Sequence, residues 1–176
     1  ARAEEPTAIS RMMQKVQGEF AQSYNTRKAR SGAFWADRFH CTMIDSETYL
    51  WNCLKYIDTN MVRAHAVPHP RDWQWCGYHE LVGQRTRYRL LDIPTVLECS
   101  GCTSEEELQT NYEQVVAEVC SRGANAREPE WTESIAVGSE AFVRSIEEQT
   151  RGRVTLTVEE LSSQHWMLRE VGAPYG

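Results

Sequence analysis

The stretch DSETYLWNCLKYIDTNMVR, which runs from Asp45 to Arg63, decides how the rest of the chain is interpreted. It opens on Asp45 and Ser46 with an acidic residue, Glu47, directly behind them, a pattern typical of a helix start. Apolar residues then recur at spacings of one, three and four, which predicts an amphipathic helix with one buried stripe. The members of this stripe are Tyr49, Leu50, Cys53, Leu54, Ile57 and Met61.

A second stripe of the same helix is polar. Asn52, Tyr56 and Asn60 stand four residues apart, and Arg63 follows three residues later. Because residues four apart are neighbours on a helix surface, Tyr56 and Asn60 can reach the same small target. A tyrosine hydroxyl beside an amide, with an arginine within one turn, is suited to attack on a phosphodiester. The residue types equally fit a half-buried ring and a solvated amide, so both interpretations stay open here.

The composition is that of a soluble globular protein. The chain has 176 residues, of which 41% are hydrophobic and 25% charged, enough for one domain or one and a half small ones. No apolar run approaches the ~18 residues that a membrane-spanning helix needs. The first residues, ARAEEP, lack the layout of a signal peptide. We therefore expect a cytoplasmic protein with no membrane partner.

Charge is divided unevenly along the chain. Residues 1–90 hold 13 of the 19 Lys and Arg residues and 9 of the 25 Asp and Glu residues, a net charge of +4. Residues 91–176 hold the other 6 Lys and Arg residues and the other 16 Asp and Glu residues, a net charge of −10. We expect the region 1–91 to meet a polyanion and the region 92–176 to be an acidic, helical accessory region.

Cations cluster before the central helix. NTRKARSG, from Asn25 to Gly32, predicts a basic loop that can neutralise phosphates without reading base sequence. Alternation from Phe34 to Ile44 predicts a strand that brings Arg38 to its exposed side. The candidate DNA-binding cations in and around these segments are Arg27, Lys28, Arg30, Arg38 and Arg63.

An aromatic segment follows the central helix. Pro68 and Pro70 interrupt it, and it contains Trp73, Trp75 and Tyr78. Aromatic residues interleaved with cations suit stacking on unpaired bases. They equally suit a hydrophobic plug, that is, a group of side chains buried under the loop. We favour the plug for the tryptophans. Three alternating arginines close the segment and predict a strip that faces DNA, and they are Arg85, Arg87 and Arg89.

The rest of the pattern is mostly helical. The clearest further helix carries a capping box of Thr103 with Glu106 and has Gly123 as its terminator. Residues 153–159 and 164–169 can form two short strands or an irregular tail. Three further helices are predicted at 7–24, 103–121 and 139–150.

Six cysteines raise the question of zinc or disulfides. CSGC, from Cys99 to Cys102, is a lone CxxC pair, whereas a structural zinc site needs four ligands. Cys53 lies on the apolar stripe, and Cys41 and Cys120 stand in apolar patterns, as small buried hydrophobic residues do. Reduced structural thiols are the favoured interpretation.

Four blocks resemble, in order and spacing, the REP-associated tyrosine transposases, which are single-tyrosine members of the HUH superfamily. YNTRKARSGAFWADRFH (Tyr24 to His40) is similar to YNRRxxRSGxxWxxRxx, and YIDTNMVRAHAV (Tyr56 to Val67) to YIxxNxVRAG. HPRDWQWCGYHELVG (His69 to Gly83) is similar to HPxxWxxxGYxE, and EPEWTESIAVGSEAFV (Glu128 to Val143) to WTESxAVGSxxFV. With the ending MLREVGAPYG, the resemblance covers about Ile9 to Gly176.

The resemblance implies a fold and a reaction. The fold would be α+β and mostly helical as it stands, the C-terminal part of a ferredoxin-like HUH nuclease fold with a helical C-terminal extension. The reaction would be cleavage and rejoining of single-stranded DNA at hairpin repeats. Tyr56 would attack a backbone phosphorus to give a 5′-phosphotyrosine, with Mg²⁺ or Mn²⁺ held in part by Asn60.

Two departures from the family pattern matter. His65 stands where the family has glycine, so we expect a change in a turn that tolerates positive φ. The family's metal-binding His-hydrophobe-His pair is missing, since no two of the five histidines stand two apart. The chain is expected to begin just after that motif, which leaves the metal site partial.

Three hypotheses follow from these observations. The chain is an active transposase whose missing half comes from a longer precursor or a partner subunit, with a homodimer as one form. Alternatively it is a truncated or domesticated relative that binds DNA without cutting it. The third hypothesis is a helical scaffold with no nucleic-acid role.

Overall fold

The computed structural model describes residues 5, 7–37, 39–45, 48–123, 127–152 and 155–172. Over these residues the chain is an α+β protein, about half helical, with a four-stranded mixed sheet. Its contacts form two compact units, residues 1–40 and 41–176. In chain order the elements are α1 (Ala8–Arg27), β1 (Met43–Ile44), α2 (Thr48–Asp58), α3 (Asn60–Arg63), a 3-10 turn (Pro70–Asp72), α4 (Tyr78–Leu81), α5 (Ile93–Ser100), α6 (Glu105–Arg122), α7 (Glu130–Glu133), β2 (Ala136–Gly138), α8 (Glu140–Thr150), β3 (Leu156–Ser162) and β4 (His165–Glu170).

The first unit is built on α1, which follows Thr7 as predicted but continues to Arg27. Phe20 and Tyr24 of α1 pack against Phe34, with ring centroids 5.1 and 4.7 Å away. The Trp35 ring also lies 5.6 Å from Phe20. Consecutive residues of a strand point to opposite faces, whereas Phe34 and Trp35 turn to the same helix. Among the described residues of the strand predicted from Phe34 to Ile44, the last two form a strand and the prediction is wrong for the others.

The sheet of the second unit is formed late in the chain, in the order β1-β2-β4-β3. β1 pairs with β2 in parallel, and β4 pairs antiparallel with both β2 and β3. The hairpin of β3 and β4 confirms two short strands near the C-terminus, and Gln164 at its turn has a φ of 70°. Residue 138 in β2 must be glycine, because a Cβ there would lie 2.5 Å from the Cβ of Asp45.

The two faces of the sheet bury different helices. Ala136 and Leu168 face one side, where they pack with Val143 of α8. Val137 and Met167, each one residue along, face the other side, where they pack with α2. The sheet is consequently covered by α8 on one face and by α2 on the other.

The central helix is divided, and the start predicted at Ser46 and Glu47 lies outside the described residues. α2 starts at Thr48 and α3 ends at Arg63, and Thr59 interrupts them with a φ of −83° and a ψ of 4°. Ile57, predicted on the buried stripe, is 58% exposed, whereas Asp58 and Thr59 are 3% and 1% exposed. The buried side of the helix therefore includes a carboxylate.

The capping prediction for α6 is wrong by one residue. Ser104 is the N-cap, since its hydroxyl accepts from the Glu107 backbone N–H at 3.2 Å. The Glu107 carboxylate reaches back to the backbone N–H and hydroxyl of Thr103 at 2.8 and 2.7 Å. Gly123 ends the helix as predicted, with a φ of 78°. The predicted helix at 139–150 is confirmed as α8, capped by Ser139.

The shift in charge near residue 92 does not coincide with a break in packing. Trp51 and Leu54 of α2 pack in one cluster with Ile93 of α5 and with Leu108 and Tyr112 of α6. Residues from both sides of position 92 thus share a core within the second unit. The division into regions 1–91 and 92–176 stays a prediction about charge and role.

Candidate active site

Tyr56 lies in the last turn of α2 on the side that faces the sheet. Its ring packs against the cluster of Trp131, Val137 and Met167, and its centroid lies 6.3 Å from that of Trp131. The side chain is half-buried. This is the geometry of an aromatic body anchored in a core with a polar tip at the rim.

Arg63 covers the exposed side of the Tyr56 ring. Its guanidinium carbon lies 3.7 Å from the ring centroid. One guanidinium nitrogen donates to the Thr59 hydroxyl at 2.8 Å, and the other donates to the Tyr56 carbonyl at 2.7 Å. The arginine therefore bridges the junction between α2 and α3 and holds a cation against the phenol. A planar guanidinium in a fixed position suits recognition of a phosphate.

We expect Arg63→Ala to lower the free energy of unfolding by about 2 kcal/mol and Arg63→Lys by about 1 kcal/mol. Lysine keeps the charge but loses the planar stack and the paired hydrogen bonds. Urea denaturation followed by far-ultraviolet circular dichroism measures both. Arg144→Lys is the matched control, because Arg144 forms exposed ion pairs on α8 and should change stability by less than ~0.5 kcal/mol. An Arg63→Lys variant as stable as the unchanged protein would contradict this role.

The described residues do not by themselves form a metal site. Asn60, the candidate ligand, is exposed at the first position of α3. Within the described part of the chain, no three His, Cys, Asp or Glu side chains lie close enough together to hold a metal ion. A single amide oxygen falls short of the octahedral oxygen shell that Mg²⁺ requires. The metal site stays a prediction.

The turn after α3 keeps the backbone that glycine would favour. His65, which stands where the resembled sequence pattern has glycine, has a φ of 54°. A residue other than glycine rarely adopts this left-handed conformation, and it does so at a cost in free energy. The expected change in this turn is not seen in its backbone.

The basic segment of the first unit is exposed. Arg27 ends α1 with its guanidinium 5.7 Å from the centroid of Tyr24, and Lys28 follows it. Arg30 donates to the Ala33 carbonyl at 2.9 Å. All three cations remain accessible to solvent. Arg38, the fourth candidate cation of this unit, lies outside the described residues.

The three alternating arginines after α4 do not form a strand. Residues 84–91 are an irregular segment in which Arg87 and Arg89 are exposed. Arg85 is instead half-buried, with a nitrogen 3.8 Å from a carboxylate oxygen of Glu80. Of the three arginines, Arg85 therefore faces inward, whereas Arg87 and Arg89 are exposed to solvent.

Two buried carboxylates were missed by the sequence analysis. Asp58 accepts from the Tyr112 hydroxyl at 2.7 Å and from the Gly77 backbone N–H at 2.8 Å. Burial raises the pKa of the Asp58 carboxyl, and these hydrogen bonds oppose that rise. The available signal was its position, because residue 58 continues the apolar spacing of Trp51 and Leu54. Glu80, the second one, is 4% exposed.

All six cysteines are free thiols, and Cys41, which was predicted to be buried, is exposed. Cys99 and Cys102 are half-buried around the end of α5. Burial raises the pKa of the Cys53 thiol to about 11. Cys53 packs beside Tyr56 in the cluster between α2 and the sheet, as its place on the apolar stripe predicts.

Comparison with known proteins gave no match to a family model, to a curated protein or to a solved structure. None of the described helices is long and apolar enough to cross a membrane.

Proposed function

We propose that this chain is a DNA-binding protein of the transposase type, similar to the REP-associated tyrosine transposases. Its substrate would be single-stranded DNA that carries hairpins, and its described residues would be the later part of a ferredoxin-like HUH nuclease fold. The observation that carries the proposal is the Tyr56–Arg63 pair, in which a guanidinium lies 3.7 Å from the ring of the candidate nucleophile. A phosphate drawn to Arg63 would come close to that phenol.

The proposed reaction uses Tyr56 as a nucleophile. Its hydroxyl oxygen attacks a backbone phosphorus and loses its proton, and the bond from phosphorus to the 3′ oxygen breaks. The products are a 5′-phosphotyrosine and a 3′ hydroxyl that takes up a proton. Rejoining is the reverse, so no external energy is needed. Mg²⁺ or Mn²⁺, which the resemblance implies with Asn60 as one ligand, would polarise the phosphate.

A non-catalytic relative is the second candidate. The printed sequence contains no His-hydrophobe-His pair, and Asn60 is the one residue that matches the family's metal ligands. A chain of this kind would bind hairpin DNA through its cations and leave the strand intact. The histidines would otherwise come from further chain or from a partner copy, as in a homodimer. A helical scaffold without a nucleic-acid role is the third candidate, and we propose the cytoplasm as the location in each case.

Salt dependence of DNA binding tests the proposal. We expect affinity for a fluorescently labelled hairpin strand to fall as salt rises, because protein cations displace counterions from phosphates. Changing Arg27, Lys28 and Arg30 together to glutamine should make the slope of log affinity against log salt shallower by about 2, since each contact with a single strand contributes about 0.7. Fluorescence anisotropy over a salt series measures this slope.

The matched control removes three cations from the acidic region. Arg122, Arg144 and Arg151 are exposed, and changing them to glutamine should leave the slope unchanged. An equal effect in both triple variants would mean that net charge alone drives binding. Binding that ignores salt, or that is absent at low salt, would favour the scaffold.

A further inference from the structure

The segment after α4 exposes large side chains that a core would normally bury. Tyr88 is 94% exposed and Leu90 is 90% exposed, and Trp75 on the preceding loop is 74% exposed. The expectation of a hydrophobic plug is therefore wrong for Trp75, whereas Trp73 is half-buried. The plug is formed by Tyr78, which is fully buried. The aromatic residues of this segment are thus divided between one that anchors it and others that stand in solvent.

The exposed loop, residues 84–91, is held at both ends by one buried carboxylate. Glu80 accepts from the backbone N–H groups of Leu90 and Leu91, each at 2.8 Å. Its other carboxylate oxygen lies 3.8 Å from a guanidinium nitrogen of Arg85. Glu80 itself is fixed because its neighbours Tyr78 and Leu81 in α4 are fully buried. The two ends of the loop are therefore tied to a buried side chain, although the residues between them are in solvent.

Arg85 also connects the loop 84–91 to the segment that carries Trp75. Its guanidinium donates to the Gln74 carbonyl, next to Trp75 in the chain. Arg89 folds back to donate to the Arg85 carbonyl at 3.3 Å. Two exposed rings are in this way presented from neighbouring, anchored segments. The exposed cations of the loop, Arg87 and Arg89, flank Tyr88 in sequence.

Tyr88 also has a strained backbone. Its φ is 55°, a left-handed conformation that bulky residues seldom adopt. Strain of this kind persists only where the surrounding contacts impose it, and it is concentrated at sites that bind ligands. The Glu80 contacts hold the residues on both sides of Tyr88, whose ring is exposed.

We infer that Arg87, Tyr88 and Arg89 of the loop, together with Trp75, form a surface that holds the unpaired bases of a single-stranded nucleic acid. The bases stack on Tyr88 and Trp75, and the phosphates meet Arg87 and Arg89. This inference rests on the proposed function, because it assigns part of the binding of the same polymer. The positive charge of this region favours a nucleic acid over an apolar protein surface as the partner. The span from His69 to Leu91 holds four arginines against two acidic residues, and one of those two, Glu80, is buried and paired with Arg85.

Ring-directed variants test the inference on the full chain with an unstructured oligothymidylate strand. Tyr88→Ala and Trp75→Ala should each weaken binding about tenfold, because stacking on one ring contributes on that scale. Tyr88→Phe and Trp75→Phe keep a flat ring and should bind within about threefold of the unchanged protein. Leu90→Ala is the matched control, since Leu90 is equally exposed on the same loop but has no ring. It should leave binding unchanged.

Several outcomes would overturn the inference. Alanine variants that bind as tightly as the unchanged protein would remove the rings from the interface. A loss with Leu90→Ala as large as that with Tyr88→Ala would indicate an apolar partner surface instead. Ring-dependent binding to anionic phospholipid vesicles, without ring dependence on the strand, would indicate a membrane surface. If the unchanged protein binds hairpin strands but the alanine variants match it, only this inference fails. If it binds no strand at low salt, the proposed function itself fails.

Discussion

Asp58→Ala is expected to lower the free energy of unfolding by about 3 to 5 kcal/mol, measured by urea denaturation. The change leaves the fully buried Tyr112 hydroxyl and the Gly77 backbone N–H without the acceptor they share. Each unsatisfied buried donor costs about 1 to 3 kcal/mol, and the lost carboxylate leaves a cavity as well. A variant within ~1 kcal/mol of the unchanged protein would show that water replaces the carboxylate without penalty.

Asp58→Asn keeps the size of the side chain at this position and removes its ability to ionise. Burial raises the folded-state pKa of Asp58 above its value of about 3.9 in the unfolded chain. Between those two values the folded state binds more protons than the unfolded state, so stability from this group rises as pH falls and is lost as pH rises. The unchanged protein should therefore gain stability relative to Asp58→Asn on acidification toward that unfolded value. A difference that does not vary with pH would contradict the raised pKa.

Tyr112→Phe completes the comparison, because it removes the donor and keeps the ring. Its cost should be about 1 to 2 kcal/mol, smaller than that of Asp58→Ala, since Asp58 keeps its hydrogen bond from Gly77. The double variant should cost less than the sum of the two single variants, because both remove the same contact. Simple additivity would mean that the Tyr112–Asp58 contact contributes nothing of its own.

The helices were largely predictable because their signals are local. Apolar spacing, Ser or Thr before the first turn and Gly123 after the last turn identify α6, and Ser139 identifies α8. The one-residue error at the start of α6 has a local cause too. Thr103 and Ser104 are both good caps, and which of them caps depends on which glutamate folds back.

The strands were less predictable because their partners are distant in sequence. β1 has only two residues and pairs with β2, some ninety residues later, at Met43–Ala136. Alternation between Phe34 and Ile44 suggested a longer strand, but Phe34 and Trp35 find aromatic partners on α1. Alternation of apolar and polar residues in a short segment cannot show whether pairing with another strand or packing on a helix is the stronger interaction.

Within the candidate site, the sequence placed Tyr56 and Arg63 on one helix but did not predict their contact. The spacing of seven residues normally brings two side chains to one face over two full turns. The interruption at Thr59, whose hydroxyl accepts from Arg63, lets the guanidinium fold back over the ring. Contacts of this kind depend on local departures from ideal helix geometry, which composition and periodicity do not encode.

Tyr56→Phe is expected to abolish covalent attachment to DNA in the full-length protein. The substitution keeps the ring under Arg63 and against Trp131, so the fold should be retained, and it removes only the attacking oxygen. A hairpin strand labelled at its 3′ end would be incubated with the protein and Mg²⁺ or Mn²⁺, then resolved on a denaturing gel. A 5′-phosphotyrosine link carries the 3′ label with the protein, whereas a 5′ label leaves with the free hydroxyl fragment. The unchanged protein should give a slow-migrating band with the 3′ label alone.

The matched control for that experiment is Tyr49→Phe, two turns earlier on α2. Its hydroxyl donates to the Gln164 carbonyl, so its removal tests loss of a tyrosine hydroxyl elsewhere on the same helix. The Tyr49→Phe protein should still form the adduct, because the Tyr56–Arg63 pair is intact. An adduct that survives Tyr56→Phe would remove Tyr56 from the reaction. If the unchanged protein forms no adduct but binds the hairpin with the expected salt dependence, it is a relative that holds DNA without cutting it.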